Sequence, residues 1–257
     1  MVSVFKTVLN TIPRPILIKA SYWVRPFISL WLKGDRFTDP IDGKSFRKML
    51  PYGYEVQREN VLSPSTLSLE RHRLLWLYLK NETDFFSTTE QKKLLHIAPE
   101  QCFLNRFRKQ KNLTYVTSDL ESPIADVKAD ICDLPFEDSS YDIIFCNHVL
   151  EHIPDDTKAM QELFRVLKPG GFGIFQIPQD LNRAETFEDD SITDPKERTK
   201  IFGQYDHVRV YGRDYFDKLR SIGFDVQEID YTKKIAPEQV ERFALAKGEI
   251  LPVCYKH

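Results

Sequence analysis

Apolar residues follow two different spacings between residues 93 and 178. Short apolar runs of strand length alternate with segments in which apolar residues recur at helical spacing. The predicted strands are 94–98, 113–118, 143–147 and 172–177, and the predicted helices are 100–110 and 155–167. Beyond them, a helix over 215–221 and strands over 224–231 and 250–255 complete the pattern. Strands alternating with helices indicate a doubly wound, mainly parallel α/β sheet.

The N-terminal quarter of the chain has a different pattern. Residues 1–34 are rich in apolar residues but contain Pro13, Pro15 and Pro26, which predicts one or two short amphipathic helices broken at the prolines. Residues 35–66 are polar and rich in turn signals. Helical spacing resumes over 67–80, so we place the start of the main domain, 67–257, at this point.

Composition restricts the class of protein. A chain of 257 residues can form one large α/β domain with an appendage. The formal net charge of −2 gives no electrostatic case for a nucleic-acid partner. The four cysteines are far apart and form no C-x-x-C pair, which favours reduced thiols and a cytoplasmic location.

The charge of residues 1–36 is strongly basic. Six cations oppose Asp35 alone; they are Lys6, Arg14, Lys19, Arg25, Lys33 and Arg36. No apolar run approaches the ~18 residues of a spanning helix. The basic and aromatic residues are compatible with peripheral contact with an anionic membrane surface, such as the inner membrane face, although this is the less favoured of two interpretations. The alternative is that Tyr22, Trp23, Phe27 and Trp31 pack on the main domain or on a partner chain.

Three segments carry a family resemblance. They are Tyr115–Leu120 (YVTSDL), Asp130–Phe136 (DICDLPF) and Tyr141–His152 (YDIIFCNHVLEH), and LFRVLKPGGF follows at 163–172. In this order they resemble the class I S-adenosylmethionine-dependent methyltransferases, in particular the broad small-molecule group of type 11. The resemblance covers about 67–257 and is strongest over 93–178. It implies a Rossmann-like, mainly parallel seven-stranded sheet with an antiparallel last strand, plus the N-terminal helical and irregular appendage.

The resemblance also assigns a binding site for S-adenosyl-L-methionine, with S-adenosyl-L-homocysteine as product. Asp119 would hold the ribose hydroxyls, Asp130 and Ile131 the adenine, and Asn147 would lie beneath the sulfonium. The full predicted set is His96, Ala98, Glu100, Asp119, Leu120, Asp130, Ile131 and Asn147. The first loop departs from the family, because it lacks the usual acid and the Gly-x-Gly pattern. Either Ala98 is small enough to serve, or the site is inactive.

Two clusters are candidates for the acceptor side. His148 and His207 are candidate proton acceptors, since a histidine near pKa ~6.5 is the natural base. Asp206, Arg209 and Tyr211 are candidate substrate-binding residues, or alternatively a hydrogen-bonded loop anchor. Helical spacing would place His148, Glu151 and His152 on one face. That pattern could suggest a metal, but the resemblance explains it without one, and we predict none.

Residues 35–66 resemble a zinc ribbon that has lost its cysteines. Asp39-x-x-Asp42 and Ser63-x-x-Thr66 have zinc-ribbon spacing, and related methyltransferases carry cysteines there. Serine and threonine are poor zinc ligands, so we predict a metal-free relic held by packing. In the helix that follows, Arg71 or Arg73 is a candidate partner for the methionine carboxylate of the cofactor.

The sequence therefore predicts a methyltransferase that acts on a small molecule or on a glycan or lipid precursor. A rival interpretation is a catalytically inactive methyltransferase fold used as a binding or assembly module, which the altered first loop motivates. A third is a nucleotide- or NAD-dependent enzyme, although the chain has no Gly-x-Gly-x-x-Gly turn.

Overall fold

A computed structural model describes residues 14–53 and 57–257. Within the chain, contacts define two compact units. Unit 1 comprises residues 1–77 and 235–247, and unit 2 comprises 78–234 and 248–257. The sequence pattern gave no sign that residues 235–247 group with the N-terminal part of the chain.

Unit 2 is built on a seven-stranded sheet. In chain order its strands are β5 (Lys92–Ile97), β6 (Leu113–Asp119), β7 (Val127–Lys128), β8 (Tyr141–Cys146), β9 (Leu167–Ile174), β12 (Asp225–Ile229) and β13 (Leu251–Tyr255). Their order across the sheet is β12-β13-β9-β8-β5-β6-β7. The strands from β7 to β9 pair in parallel, and β13 is antiparallel to both β9 and β12. The predicted fold class, a mainly parallel sheet with an antiparallel last strand, is confirmed.

Helices of unit 2 connect and cover these strands. They are α3 (Gln101–Phe107), α4 (Asp156–Val166), α5 (Pro195–Phe202) and α6 (Tyr215–Ile222), and a small ribbon pairs β10 (Phe187–Glu188) with β11 (Arg209–Val210). Apolar residues of α4, such as Met160 and Leu163, are buried with the central strands in one core. The central strands β5 and β8 have almost fully buried apolar runs, as expected of strands covered on both faces.

In its described residues, unit 1 contains three helices and two small ribbons. The helices are α1 (Arg14–Trp31), α2 (Glu70–Asn81), which continues into unit 2, and α7 (Pro237–Arg242). The ribbons pair β1 (Lys33–Thr38) with β2 (Ser45–Phe46), and β3 (Leu50–Tyr52) with β4 (Arg58–Leu62). The predicted break at Pro26 is wrong, because α1 runs through that residue. The part of the predicted N-terminal segment that precedes Arg14 lies outside the described residues.

A buried carboxylate joins the two turns that we interpreted as a zinc-ribbon relic. Asp39 is fully buried, and its Oδ1 accepts from the Ile41 amide at 2.9 Å. Its Oδ2 accepts from the hydroxyls of Thr66 at 2.5 Å and Ser68 at 3.1 Å. The Ser63 hydroxyl in turn accepts from the Thr66 amide at 3.4 Å. Hydrogen bonds thus link Asp39, Thr66 and Ser63, three of the four positions where the zinc-ribbon spacing would place metal ligands.

Arg73 is also part of unit 1. Its side chain is fully buried and donates to four backbone carbonyls, those of Val61, Ser68, Phe243 and Ala244. The candidate role of Arg73 as a partner of the cofactor carboxylate is therefore wrong, because its donors hold the backbone of unit 1. Among the described residues, no helix has both the length and the apolar character needed to cross a membrane.

We expect Asp39→Ala to destabilise unit 1 by about 3 kcal/mol, because it leaves one amide and two hydroxyls buried without an acceptor. Asp42→Ala is the matched control in the same turn, and it should cost less than about 1 kcal/mol because its bond to the Lys44 amide is exposed. Urea unfolding followed by tryptophan fluorescence measures this, since Trp23, Trp31 and Trp76 all lie in unit 1. Equal losses in the two variants would contradict the role given to Asp39.

Candidate cofactor and acceptor site

A cavity of about 110 Å³ opens at the carboxyl ends of β5 and β6. Ligands of open parallel sheets bind at this edge. Its lining residues are Ile97, Ala98, Ser118, Asp119, Leu120, Ala129, Asp130, Ile131, Leu134, Val149 and Ile153. Five of the eight residues that we predict to bind the cofactor lie on this wall: Ala98, Asp119, Leu120, Asp130 and Ile131.

Ala98 makes the turn that the missing glycines would make. Its φ is +49°, in the left-handed region that glycine adopts more readily than alanine. Its amide donates to the Ser118 carbonyl at 2.8 Å, so β5 stays joined to β6 beyond the end of the regular pairing. The small side chain keeps the backbone accessible from the cavity. Alanine is thus strained but sterically adequate at this position.

Three other predicted residues form a buried polar chain beside the cavity. The Tyr115 hydroxyl lies 2.9 Å from Nδ1 of His96, and Nε2 of His96 pairs with the Glu100 carboxylate. Burial, reinforced by Glu100, raises the pKa of Tyr115 far above its ordinary value, so this hydroxyl stays protonated and can donate to Nδ1. Nδ2 of Asn147 donates to the other oxygen of Glu100 at 3.2 Å.

The hydrogen bonds from Tyr115 to Asn147 determine the role of His96. The His96 side chain is fully buried and does not line the cavity, which differs from the cofactor contact that we predicted. Glu100 and Asn147 occupy the ends of β5 and β8, where the resemblance places the methionine and sulfonium parts of the cofactor. His96 therefore positions Glu100, and through it Asn147.

Asp119, the last residue of β6, and Asp130, in the loop after β7, both line the cavity. Oδ1 of Asp119 accepts from the amides of Glu121 at 2.8 Å and Ser122 at 2.7 Å, which fixes the loop. Its Oδ2 accepts no hydrogen bond from the described residues. Oδ1 of Asp130 accepts from the Cys132 amide at 2.8 Å. Each carboxylate is thus held by a nearby backbone amide through its Oδ1.

The segment after β8 does not form the helical face that we predicted. His148 has a φ of +55°, and only Leu150–His152 forms a short 3-10 helix. Nδ1 of His148 nevertheless lies 3.3 Å from Oε1 of Glu151. Burial disfavours ionisation of Glu151, but the hydrogen bond from His148 and the nearby His152 outweigh it, so the pKa of Glu151 is lowered. A buried, ionised glutamate therefore lies beside His148 and His152.

Arg209 and Tyr211 anchor this segment from the other side. Arg209 is 4% exposed and donates to the carbonyls of Leu150 at 3.0 Å, Ile153 at 2.5 Å and Pro154 at 2.8 Å. Tyr211 is fully buried and donates to Asp156 at 2.7 Å. The predicted substrate contacts of Arg209 and Tyr211 are therefore wrong. Both side chains are buried and hydrogen-bonded within the protein, so they have the alternative role of loop anchor.

His207 is brought next to His152 by that anchor. The two rings meet edge to face with centroids 4.7 Å apart. Nδ1 of His207 lies 3.1 Å from the Phe202 carbonyl. Burial lowers the pKa of His207, although the Glu151 carboxylate opposes the shift. The imidazole is thus neutral near neutral pH. Asp206 remains partly exposed, with Oδ2 3.4 Å from Nδ1 of His152.

Gln176 is a polar residue of this region that sequence reasoning missed. It follows β9, and its side chain is 1% exposed. Its backbone amide donates to Oδ1 of Asn147 at 3.4 Å, and its carbonyl accepts from the His148 amide at 2.7 Å. Neither polar atom of its side-chain amide has a partner in the described part of the chain. The sequence signal that could have identified Gln176 is its position as a polar residue directly after an apolar strand.

A family model with the description "Methyltransferase domain" matches residues 90–175. These residues contain the turn at Ala98, Asp119 and Asp130, and the loops that carry them line the cavity. The chain carries a class I methyltransferase domain. The predicted family and the cofactor, S-adenosylmethionine, are confirmed at this level, whereas the zinc-ribbon subgroup stays a prediction.

Curated relatives match the methyltransferase domain over short segments. The sterol 4-C-methyltransferase strm-1 of Caenorhabditis elegans is 40% identical over 65 residues, which are 25% of this chain and 19% of that protein. The demethylmenaquinone methyltransferase of Staphylococcus carnosus is 44% identical over 48 residues, 19% of this chain and 20% of that protein. The chain thus matches about a fifth of the length of either relative.

Solved structures match a larger share of the chain than the curated relatives do, at lower sequence identity. Phosphoethanolamine N-methyltransferase 2 of Haemonchus contortus, in complex with S-adenosyl-L-methionine, has 16% sequence identity and a TM-score of 0.45. The match covers 72% of this chain and 52% of that one.

Proposed function

We propose that this chain transfers the methyl group of S-adenosylmethionine to a small molecule or to a glycan or lipid precursor in the cytoplasm. The observation that carries the proposal is the pair of carboxylates, Asp119 and Asp130, on one cavity at the carboxyl edge of a parallel sheet. The four cysteines are free thiols, which supports a reducing compartment.

The residues on the cavity fit S-adenosylmethionine by their chemistry. A carboxylate is acceptor-only, so Oδ2 of Asp119 suits the two hydroxyl donors of a ribose. Ile131, Leu134, Val149 and Ile153 offer an apolar wall to the adenine ring, and Asp130 can accept from its amino group. When bound, S-adenosylmethionine supplies an already activated methyl group, so the protein contributes mainly position and exclusion of water.

On the acceptor side, the proposal assigns proton removal to His148 or His207. Both lie near Glu151: Nδ1 of His148 is 3.3 Å from Oε1 of Glu151, and burial lowers the pKa of His207, so that its imidazole can accept a proton. The Gln176 amide is a further candidate contact for a polar acceptor, because its buried oxygen and nitrogen have no described partner. Asp206 is the one member of the predicted substrate set whose side chain remains partly exposed.

Binding of S-adenosylhomocysteine tests the proposal directly. We expect micromolar affinity by calorimetric titration, weakened about 10- to 100-fold by Asp119→Asn, since a hydrogen bond to a charged group contributes about 1.5–3 kcal/mol. Asparagine keeps the Oδ1 acceptor for the Glu121 and Ser122 amides, so the loop should stay intact. Asp130→Asn should weaken binding about tenfold.

Asp133→Asn is the control, because Asp133 is exposed and absent from the cavity wall. The Asp133→Asn variant should bind S-adenosylhomocysteine with the same affinity as the wild type. No binding at millimolar S-adenosylhomocysteine would contradict the proposal and favour the inactive binding module. Displacement of the ligand by NAD would instead favour a dinucleotide-dependent enzyme.

We also propose that α1 brings the chain to an anionic membrane surface. Trp23, Phe27, Leu30 and Trp31 follow the i, i+4, i+7, i+8 spacing of one helical face, and each side chain is more than 70% exposed. Exposed basic residues of the adjacent ribbon include Arg36, Arg47 and Lys48. A basic helix with an aromatic face is typical of interfacial binding. Sterol and demethylmenaquinone methyltransferases among the relatives are consistent with an apolar acceptor.

Co-sedimentation with phospholipid vesicles tests this role of α1. The full chain should bind anionic vesicles more than neutral ones. The combined variant Trp23→Ser/Phe27→Ser/Leu30→Ser should bind them at least about 100-fold more weakly, since each of the three buried apolar side chains contributes about 1.5–3 kcal/mol. Trp31 is kept, because its ring contacts the Arg47 guanidinium at 5.6 Å.

Ile201→Ser/Tyr205→Ser is the matched control, because it removes exposed apolar side chains from another part of the chain. It should bind vesicles as the wild type does. Unchanged binding of the α1 variant would refute the membrane role.

A further inference from the structure

We propose that Glu151, His152 and His207 form a binding site for a divalent transition-metal ion such as Zn²⁺. One candidate ligand atom from each side chain lies within 4.8 Å of the other two. Two imidazoles and one carboxylate are a known zinc ligand set. The inference opposes the sequence-based expectation of no metal, and it does not depend on the proposed methyl transfer.

The backbone around the three residues is held before any ion binds. The Val208 amide donates to the Glu151 carbonyl at 3.0 Å, and Arg209 ties its loop to the carbonyls of Leu150 and Ile153. These bonds place His207 beside the 3-10 helix that carries Glu151 and His152. Tetrahedral zinc, with ligands at about 2.0–2.2 Å, needs ligand atoms about 3.4 Å apart. Side-chain movements of about 1 Å would close the remaining gap.

Each histidine is oriented in the manner of a metal ligand. Nδ1 of His207 lies 3.1 Å from the Phe202 carbonyl, and Nδ1 of His152 lies 3.3 Å from the Asp206 carbonyl. A carbonyl oxygen only accepts, so in both bonds Nδ1 carries the proton. The lone pair is then on Nε2. Metal-bound histidines commonly donate the other ring N–H to a carbonyl in this way, which fixes the tautomer.

The carboxylate of Glu151 supplies the second, independent observation. Its side chain is 1% exposed, and Oε1 pairs with His148. Oε2 is buried and has no hydrogen-bond partner among the residues that the structure describes. A buried carboxylate oxygen without a donor costs free energy unless a cation or donor satisfies it. An ion held jointly with His152 and His207 would satisfy Oε2.

Three protein ligands would leave at least one coordination position for water or for an oxygen-bearing ligand. Zinc sites with three protein ligands and an open position are typical of catalytic rather than structural zinc. The neighbours Val149 and Ile153 of the same segment line the cavity. A bound metal would take the lone pair of His207, which leaves His148 as the remaining candidate proton acceptor.

Titration of the full chain with Zn²⁺ tests the site, with Co²⁺ as a spectroscopic probe. Two other candidate ligands are removed first, through Cys132→Ser and His257→Ala. Cys132 is a partly buried thiol whose pKa is raised to about 11 by burial and the Asp130 carboxylate. His257 is exposed and pairs with Asp225 at 3.1 Å, as an adventitious surface site would. In this background we expect one Zn²⁺ per chain and visible Co²⁺ absorption with nitrogen and oxygen ligands.

In the same background, His207→Ala and Glu151→Gln should each weaken Zn²⁺ binding about tenfold or more and abolish the Co²⁺ spectrum. Zn²⁺ should also raise the melting temperature of the parent and not of these variants. Unfolding of the metal-free variants, followed by circular dichroism, separates loss of the site from loss of the fold. Equal Zn²⁺ affinity in variants and parent, or binding that disappears with Cys132→Ser and His257→Ala alone, would overturn the proposal.

Discussion

The parallel pairing of β5 with β6 on one side and β8 on the other is the constraint on which the site depends. Leu95 pairs with Val116 and with Ile144, and this register carries all three strands to the same edge of the sheet. Parallel strands that start in register end in register. Ala98, Asp119 and Asn147 therefore leave the sheet at neighbouring positions, although about 50 residues separate the first from the last.

Polar bonds then convert this edge into a defined cavity. Tyr115 contacts His96, and His96 and Asn147 both contact the Glu100 carboxylate. A buried polar network is stabilising only when its members are satisfied, so His96 is suited to a position that the family usually gives to an acid. On the other side, the Arg209 guanidinium holds the backbone of 150–154. Neither the His96–Glu100 pair nor Arg209 lines the cavity, but each holds a segment that contributes lining residues: Ile97 and Ala98 for the first, Ile153 for the second.

Local sequence patterns predicted the parts of the structure that local physics decides. Apolar runs bounded by turns identified the strands, because the side chains on both faces of a covered strand are buried and therefore mostly apolar. The acids Asp119 and Asp130 were found because they follow strands in a recognised order of motifs. In each case the deciding residues are near one another in sequence.

Long-range contacts account for what the sequence could not predict. The cluster of Asp206, His207, Arg209 and Tyr211 is polar in sequence, and nothing in it reveals that the carbonyls of 150–154 surround Arg209. Likewise, the spacing of His148, Glu151 and His152 suggested a helical face, but His148 adopts positive φ and pairs its backbone with Gln176. The Asp39 network depends on hydroxyls almost 30 residues away.

The most direct test of this account is a crystal structure of the chain with S-adenosylhomocysteine. The account predicts that the adenosine occupies the cavity between Ala98 and Ile153, with the ribose hydroxyls in hydrogen-bond distance of Oδ2 of Asp119. It also predicts that the pair formed by His96 and Glu100 persists. A ligand bound elsewhere on the chain, with the Asp119 carboxylate turned away from it, would contradict the claim that this edge of the sheet is the cofactor site.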